Sequence, residues 1–260
     1  MSLLNRRNHQ AETPPVEALA QAHLSEIALA VCINGVSQSV MMVSDRDLED
    51  FALGFALSEG LIESVNEVLD IVIKELPNGK QVDLHVLART QHRLKQRRRT
   101  MAGPSGCGLC GLDSVSDAMA LPIAQHSSVQ AMIDFPDDSV ILQARESLPQ
   151  LQQAYSGMRG NHCAAYFDLS GNVIGYREDV GRHSALDKLI GHLAQEHEKT
   201  VAGFVMLTSR CSHDLVAKAA RSNLPILITL AQPTSLAVDS ARNTGVILFC
   251  FQQRQLKRFS

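Results

Sequence analysis

The sequence predicts an α/β protein whose sheet is largely parallel and covered by helices on both faces. The main evidence lies in roughly the last 100 residues, where short apolar strands alternate with helical segments of about ten residues. The composition agrees, because 45% of the 260 residues are hydrophobic and 20% are charged, as in average soluble globular proteins. These values argue against a disordered or fibrous chain.

The N-terminal part is predicted to hold an arm followed by a hairpin. Residues 1–23 are polar and contain Thr13-Pro14-Pro15, a composition typical of a flexible arm. Strands from Ile27 to Ile33 and from Val36 to Val43 then flank Asn34-Gly35. This dipeptide favours a type I′ turn, so we expect two antiparallel strands.

A helix and a second hairpin are expected to complete a smaller α+β subdomain over residues 24–100. Ser44 is predicted to cap the helix, and Gly60 to end it. The second hairpin runs from Val68 to Ala88 around Pro77-Asn78-Gly79. Six Lys or Arg residues without an acidic residue then occupy residues 89–99, which indicates an exposed basic loop or a frayed helix.

Residues 101–260 are predicted to form the larger α/β domain. A short helix capped by Ser114 comes first, and a longer one follows from Asp138 to Tyr155. A hairpin around Ser170-Gly171-Asn172 leads to a helix from about Arg182 to Glu196. The remaining predicted elements are strands 201–208, 225–230 and 246–251, with helices 212–222 and 234–242 between them.

The ends of these strands predict a ligand site. Open α/β sheets bind ligands beyond the carboxyl ends of their strands. This rule selects Ser209-Arg210 after one strand, and Thr234-Ser235 after the next.

Six cysteines are present, and only Cys107 and Cys110 form a C-x-x-C pair. The pair is open to four interpretations: half of a zinc site, a thioredoxin-like dithiol, a nucleophilic thiolate that carries a group, or two ordinary cysteines. Zinc is disfavoured, because the chain has no second C-x-x-C and no H-x-E or C-x-E element. The carrier interpretation fits best, since Gly106, Gly108 and Gly111 leave the backbone open to a bulky partner.

Composition also narrows the partners and the location. A net charge of −3, 4% aromatic residues and the absence of Trp disfavour nucleic-acid binding. No apolar run suits a signal sequence or a membrane span. We therefore expect a cytoplasmic protein that binds neither nucleic acid nor membrane.

Several segments, in order, resemble one family, the formate dehydrogenase accessory sulfurtransferases, or FdhD-type sulfur carrier proteins. They are DFALGFALSEGLI from Asp50, SGCGLCG from Ser105, YREDVGRHSALDKLI from Tyr176, and the helix starts in 209–219 and 231–238. The resemblance extends from about Glu26 to Arg254.

The resemblance implies a cytidine-deaminase-like, layered α-β-α sandwich, a homodimer and a sulfur-transfer activity without a structural metal. Cys107 would accept persulfide sulfur from a cysteine desulfurase, and Cys110 would be the second cysteine of the motif. The sulfur would pass to the bis(molybdopterin guanine dinucleotide) molybdenum cofactor, which is inserted into the formate dehydrogenase apoenzyme. A thioredoxin-like redox protein and a non-covalent cofactor chaperone are the alternatives.

The resemblance also implies cofactor-binding residues. The C-terminal segment Phe249-Cys250-Phe251-Gln252-Gln253-Arg254 is similar to the family pattern F-C-R-x-G-R, but Phe251 replaces Arg and Gln253 replaces Gly. Arg182 and His183 lie at a predicted helix N-terminus, which ordinarily favours acidic groups, so we interpret them as cofactor-binding residues. The further candidates are Arg210, Thr234 and Ser235, and His162 is a candidate to line the same pocket.

Overall fold

The computed structural model describes residues 24–101, 121, 135–152, 160–196, 202–253 and 255–260, with the side chains of 97–101 excepted. The described helices are α1 Leu48–Ser58, α2 Ala88–Met101, α3 Asp138–Leu151, α4 Arg182–Gln195, α5 His213–Arg221 and α6 Ser235–Thr244. The strands are β1 Ile27–Ile33, β2 Val36–Val43, β3 Val68–Leu76, β4 Gly79–Val86, β5 His162–Asp168, β6 Val173–Asp179, β7 Gly203–Arg210, β8 Ile226–Ala231, β9 Ile247–Gln252 and β10 Gln255–Arg258.

The smaller sheet has the strand order β2-β1-β4-β3 and contains both predicted hairpins. Asn34 and Gly35 have φ values of 47° and 75°, which confirms the predicted type I′ turn. Strand β1 also pairs with β4 in parallel, which joins the two hairpins into one sheet. Gly60, with φ of 66°, follows the end of α1 as predicted.

The larger sheet has the strand order β10-β9-β8-β7-β5-β6. Only the pairs β7–β8 and β8–β9 are parallel, and the other three described pairs are antiparallel, so the expectation of a largely parallel sheet is wrong. The hairpin of β5 with β6 and the late strand β10 pair antiparallel because short connections force the chain to reverse. Strand β10 was not predicted, because only one of its four residues, Leu256, is apolar.

Helices lie on both faces of this sheet, as predicted. Residues of α4, α5 and α6 pack on one face, for example Leu189, Leu215 and Ala241. The other face is covered by α3 through Ile141 and Leu148. The cytidine-deaminase-like arrangement remains an expectation from the resemblance.

The basic segment 89–99 lies within helix α2, so the loop interpretation is wrong and the helical alternative is confirmed. Leu94 is buried against the smaller sheet, and Thr90 and Arg93 both bind Glu67. Burial tends to raise the pKa of Glu67, but the hydrogen bonds from Thr90 and Arg93 outweigh it and lower that pKa. The start of the basic segment is therefore fixed to the sheet.

Ser44 does not cap α1, so that prediction is wrong. The N-cap is Asp47, in a left-handed conformation with φ of 49°. Ser44 is fully buried, and its backbone N and Oγ both donate to Asp179 Oδ2, at 3.0 and 2.9 Å. A buried carboxylate 135 residues away thus outcompetes the local cap.

Helices α1 and α4 join the two sheets through direct backbone contact. A Cβ added at Gly54 would lie 1.7 Å from the carbonyl oxygen of Asp187, and one added at Gly191 would lie 1.9 Å from that of Asp50. Both glycines are therefore required by close approach rather than by conformation.

Two buried lysines form ion pairs where the two sheets are joined. Lys188 Nζ lies 2.7 Å from Asp179 Oδ2, and both side chains are fully buried. Lys218 Nζ lies 3.0 Å from Asp187 Oδ1 and 2.7 Å from Glu59 Oε1. Burial alone lowers the pKa of Lys218, but the two carboxylates outweigh burial and raise it. The motifs that begin at Asp50 and Tyr176 are thus packed against each other.

In the part of the chain that the structure describes, every helix is too short or too polar to cross a membrane.

Candidate functional site

The predicted ligand residues lie along one edge of the six-stranded sheet. Strands β7, β8 and β9 end at this edge, with Arg210 paired to Ala231, and helices α4, α5 and α6 begin there. The amide of Thr234 donates to the carbonyl of Cys211 at 3.1 Å, which ties two strand-end loops together. Strand β5 starts at the same edge, where His162 pairs with Asp179 at the end of β6.

The edge is long enough for an extended ligand. Four strand-to-strand steps separate β9 from β6 in the sheet order. At about 4.8 Å per step, this distance is about 19 Å. Arg210, Thr234 and Ser235 lie along the edge and are exposed to solvent.

At the β5–β6 end, a guanidinium and two imidazoles gather at the N-terminus of α4. Arg182 is the first residue of this helix, and its buried Nε has no hydrogen-bond partner in the described part of the chain. Burial, and then the charge of Arg182, lower the pKa of His183 to about 4. The same two causes lower the pKa of His162. At neutral pH the group is one cation with two neutral rings, which suits an anion.

The N-cap hydroxyls of α5 and α6 differ in whether they accept a hydrogen bond from the helix backbone. Thr234 Oγ1 accepts a hydrogen bond from the amide of Ala237 at 3.1 Å, as an ordinary N-cap. Ser212 caps α5 without such a bond, and its Oγ lies 3.3 Å from His183 Nε2. His183 Nε2 also lies 3.7 Å from Asp214 Oδ2. Ser212 and His183 therefore form a polar contact that faces the edge.

Acid should destabilise the protein through His183. Its folded pKa of about 4 lies below the unfolded value of about 6.5, so the unfolded state binds the proton first as the pH falls. Between pH 7.5 and pH 5, we expect this residue to remove about 1 to 2 kcal/mol of stability. Urea denaturation at both pH values should show a smaller loss in His183→Gln than in the wild type. Equal losses would contradict the shift.

At the other end, the edge contains a groove of about 500 Å³. Its lining residues are Leu230, Ala231, Gln232, Phe251, Gln252, Gln253 and Gln255. Three residues of the predicted C-terminal segment, 251–253, thus line it, whereas Phe249 and Cys250 are 7% and 0% exposed and belong to the core. Arg254 lies outside the described residues. Among the described residues of this segment, contact with a ligand is therefore expected at residues 251–253.

The backbone at Gln253 accounts for one departure from the family pattern. Gln253 has φ of 58°, in the left-handed region that favours glycine, and it begins the short connection between β9 and β10. The glycine of the pattern therefore suits the conformation of this turn.

Removing the side chain at this position should relieve strain. We expect Gln253→Gly to raise the free energy of unfolding by about 0.5 kcal/mol, the strain relieved less the added freedom of the unfolded chain. Gln253→Val should lower it by about 1 kcal/mol or more, because β-branching is incompatible with positive φ. Urea denaturation measures both changes. A less stable glycine variant would contradict this account.

The described cysteines are poor nucleophiles. Cys32, Cys163, Cys211 and Cys250 are buried free thiols. Burial raises the pKa of all four, and it raises those of Cys163 and Cys211 to about 12. The predicted pair, Cys107 and Cys110, lies outside the described residues, as does the predicted helix at Ser114. Among the described side chains, no group of His, Cys, Asp and Glu could hold a metal ion.

Sequence reasoning missed two kinds of residue. Arg145 and Gln255 contact or line the groove, and only the repeated Gln of 252–255 hinted at this. The second kind is the buried charges. Asp179 is an example, because its buried partner Lys188 lies nine positions later in the chain, on α4.

Comparisons with known proteins agree with this architecture. The model of the FdhD/NarQ family matches residues 24–259. The sulfur carrier protein FdhD of Acinetobacter baylyi is 38% identical over 242 residues, which are 92% of this chain and 86% of the relative. The protein of the same name from Chromobacterium violaceum is 42% identical over 231 residues, 88% of this chain and 84% of the relative.

A solved structure from Desulfotalea psychrophila, assigned provisionally as a formate dehydrogenase accessory protein, has a similar fold. The TM-score is 0.65 at 22% identity, over 91% of this chain and 86% of the other. Because the family model spans nearly all of the chain and the relatives named above exceed one third identity, the chain belongs to the FdhD/NarQ family.

Proposed function

We propose that this protein is a sulfur carrier that delivers sulfur to the molybdenum cofactor required by formate dehydrogenase. The observation that carries the proposal is its 38% identity, over 92% of the chain, to a relative named sulfur carrier protein FdhD. The donor is a cysteine desulfurase, and the cofactor, bis(molybdopterin guanine dinucleotide), is a bound substrate. A homodimer and a cytoplasmic location remain predictions.

Cys107 receives the sulfur. Its thiolate attacks the outer sulfur of the donor's cysteine persulfide, the donor S–S bond breaks, and its electron pair leaves with the donor thiolate. The product is a persulfide on Cys107, with no net oxidation. The four described thiols support this choice, because burial and raised pKa values disfavour their thiolates.

Cys110 releases the sulfur. Delivery of the outer sulfur as sulfide requires two electrons, and a second thiol can supply them. Attack of the Cys110 thiolate on the inner sulfur of Cys107 forms a disulfide and frees the outer sulfur as sulfide for molybdenum. A cellular thiol reductant then restores the two thiols.

The edge of the six-stranded sheet receives the cofactor. A dinucleotide cofactor is long and anionic, and the row from Gln253 to Arg182 offers about 19 Å of exposed polar groups by the spacing of four strands. The buried Nε of Arg182 at the start of α4, which lacks a hydrogen-bond partner among the described residues, supports a bound anion at one end. The groove at 251–253 supports a bound base at the other.

Sulfur loading tests the carrier step. Purified protein is incubated with a cysteine desulfurase and cysteine, and the mass of each cysteine-containing peptide is measured without reductant. We expect one added sulfur at Cys107 in the wild type and in Cys110→Ser, and none in Cys107→Ser. Cys110→Ser should retain its sulfur when the cofactor is added. Sulfur at the buried cysteines, or at none, would contradict the proposal.

A further inference from the structure

Helix α3 brings a cation to the groove at the ends of β8, β9 and β10. Arg145 projects from this helix so that its Cζ lies 4.4 Å from the centroid of the Phe251 ring. Its Nη1 donates to the carbonyl oxygen of Gln253 at 3.4 Å. Both Phe251 and Gln253 line the groove, so the guanidinium lies beside it.

The described residues that line the groove carry no charge. In the described part of the chain, its lining consists of aliphatic residues, Phe251 and four glutamines. Glutamine amides offer both donors and acceptors, which suits the edge of a nucleobase. They do not balance the charge of a phosphate, and among the described residues Arg145 is a cation that contacts this lining.

The contacts of Arg145 with other described residues fix its orientation and use one of its donors. Stacking on the Phe251 ring and the bond to Gln253 restrict the side chain. A guanidinium has five N–H donors, and the bond to Gln253 uses one. The side chain is half-buried, so the remaining donors are partly open to solvent.

We propose that Arg145 binds a phosphate of the nucleotide whose base lies in the groove. This inference rests on the proposed function, which brings a guanine nucleotide to this edge of the sheet. Phe251 occupies the position where the family pattern has Arg, so the cation that this strand lacks comes instead from α3.

Calorimetric titration with guanosine diphosphate and with guanosine tests this assignment. Loss of a charge-assisted hydrogen bond to phosphate should weaken binding of the diphosphate about tenfold or more in Arg145→Ala. Arg145→Gln should give a similar loss, and it preserves the length of the side chain. Guanosine, which has no phosphate, should bind both variants within about twofold of the wild type, because the base contacts remain.

Arg258→Ala is the matched control, because Arg258 stacks on Phe249 outside the groove lining. We expect it to bind the diphosphate like the wild type. Equal diphosphate affinity in wild type, Arg145→Ala and Arg145→Gln would overturn the role of Arg145 and leave the proposed function intact. A wild type that binds neither compound would overturn the nucleotide site itself, and with it both proposals.

Discussion

Lys188→Met is expected to lower the free energy of unfolding by about 3 to 5 kcal/mol, because it leaves a buried carboxylate without its cation. Lys188 Nζ contacts Asp179 Oδ2 at 2.7 Å and Ser44 Oγ at 2.8 Å, and all three side chains are fully buried. Urea denaturation at pH 7 measures the loss.

The matched control is Lys80→Met on the smaller sheet. Lys80 pairs with Asp45 and Glu75, which are much more exposed than Asp179, so Lys80→Met should lower the free energy of unfolding far less than Lys188→Met. Adding Asp179→Asn to Lys188→Met should recover part of the loss, since the uncompensated charge is removed. If Lys188→Met lowered the free energy of unfolding no more than Lys80→Met, the buried pair would not stabilise the contact between the two sheets.

Gly54→Ala should destabilise the protein by about 3 kcal/mol or more, against the ordinary preference of helices for alanine. In an open helix, this change stabilises by about 1 kcal/mol. Here the new Cβ would lie 1.7 Å from the carbonyl oxygen of Asp187, so α1 and α4 must separate. Thermal and urea denaturation measure the effect.

Gly191→Ala should behave alike, because its Cβ would meet the carbonyl oxygen of Asp50 at 1.9 Å. Gly35→Ala serves as the control, since nothing lies within 4 Å of its Cβ and only the φ of 75° opposes the change. Gly35→Ala should lower the free energy of unfolding by about 1 kcal/mol. Stabilisation by Gly54→Ala would mean that the helices do not cross in backbone contact.

Local sequence patterns predicted most helices and strands, but they could not predict which residues far apart in the chain contact each other. Asn34-Gly35 specifies its own turn, so the first hairpin followed from two residues. Ser44 shows the opposite case, because its partner Asp179 is 135 residues away and a serine before a helix ordinarily indicates a cap. The parallel pairing of β1 with β4 is likewise non-local, and no periodicity within either strand encodes it.

The candidate site followed from sequence where a general rule of sheets applied. Arg210 and Thr234 lie at the strand-end edge, as the strand order along the chain implied. Arg145 was missed because it reaches the groove from α3, on the other face of the sheet, and a single arginine in an amphipathic helix usually indicates a solvated face. Its stacking on Phe251 and its hydrogen bond to Gln253 reveal its place beside the groove.

Restoration of formate dehydrogenase activity tests the central claim most directly. Cells that lack their FdhD/NarQ family member are supplied with the wild type, Cys107→Ser or Cys163→Ser, and formate dehydrogenase activity is measured in extracts with equal amounts of carrier. We expect full activity with the wild type, activity with Cys163→Ser, whose thiol is buried, and none with Cys107→Ser. Wild-type activity with Cys107→Ser would contradict a sulfur carrier that works through this cysteine.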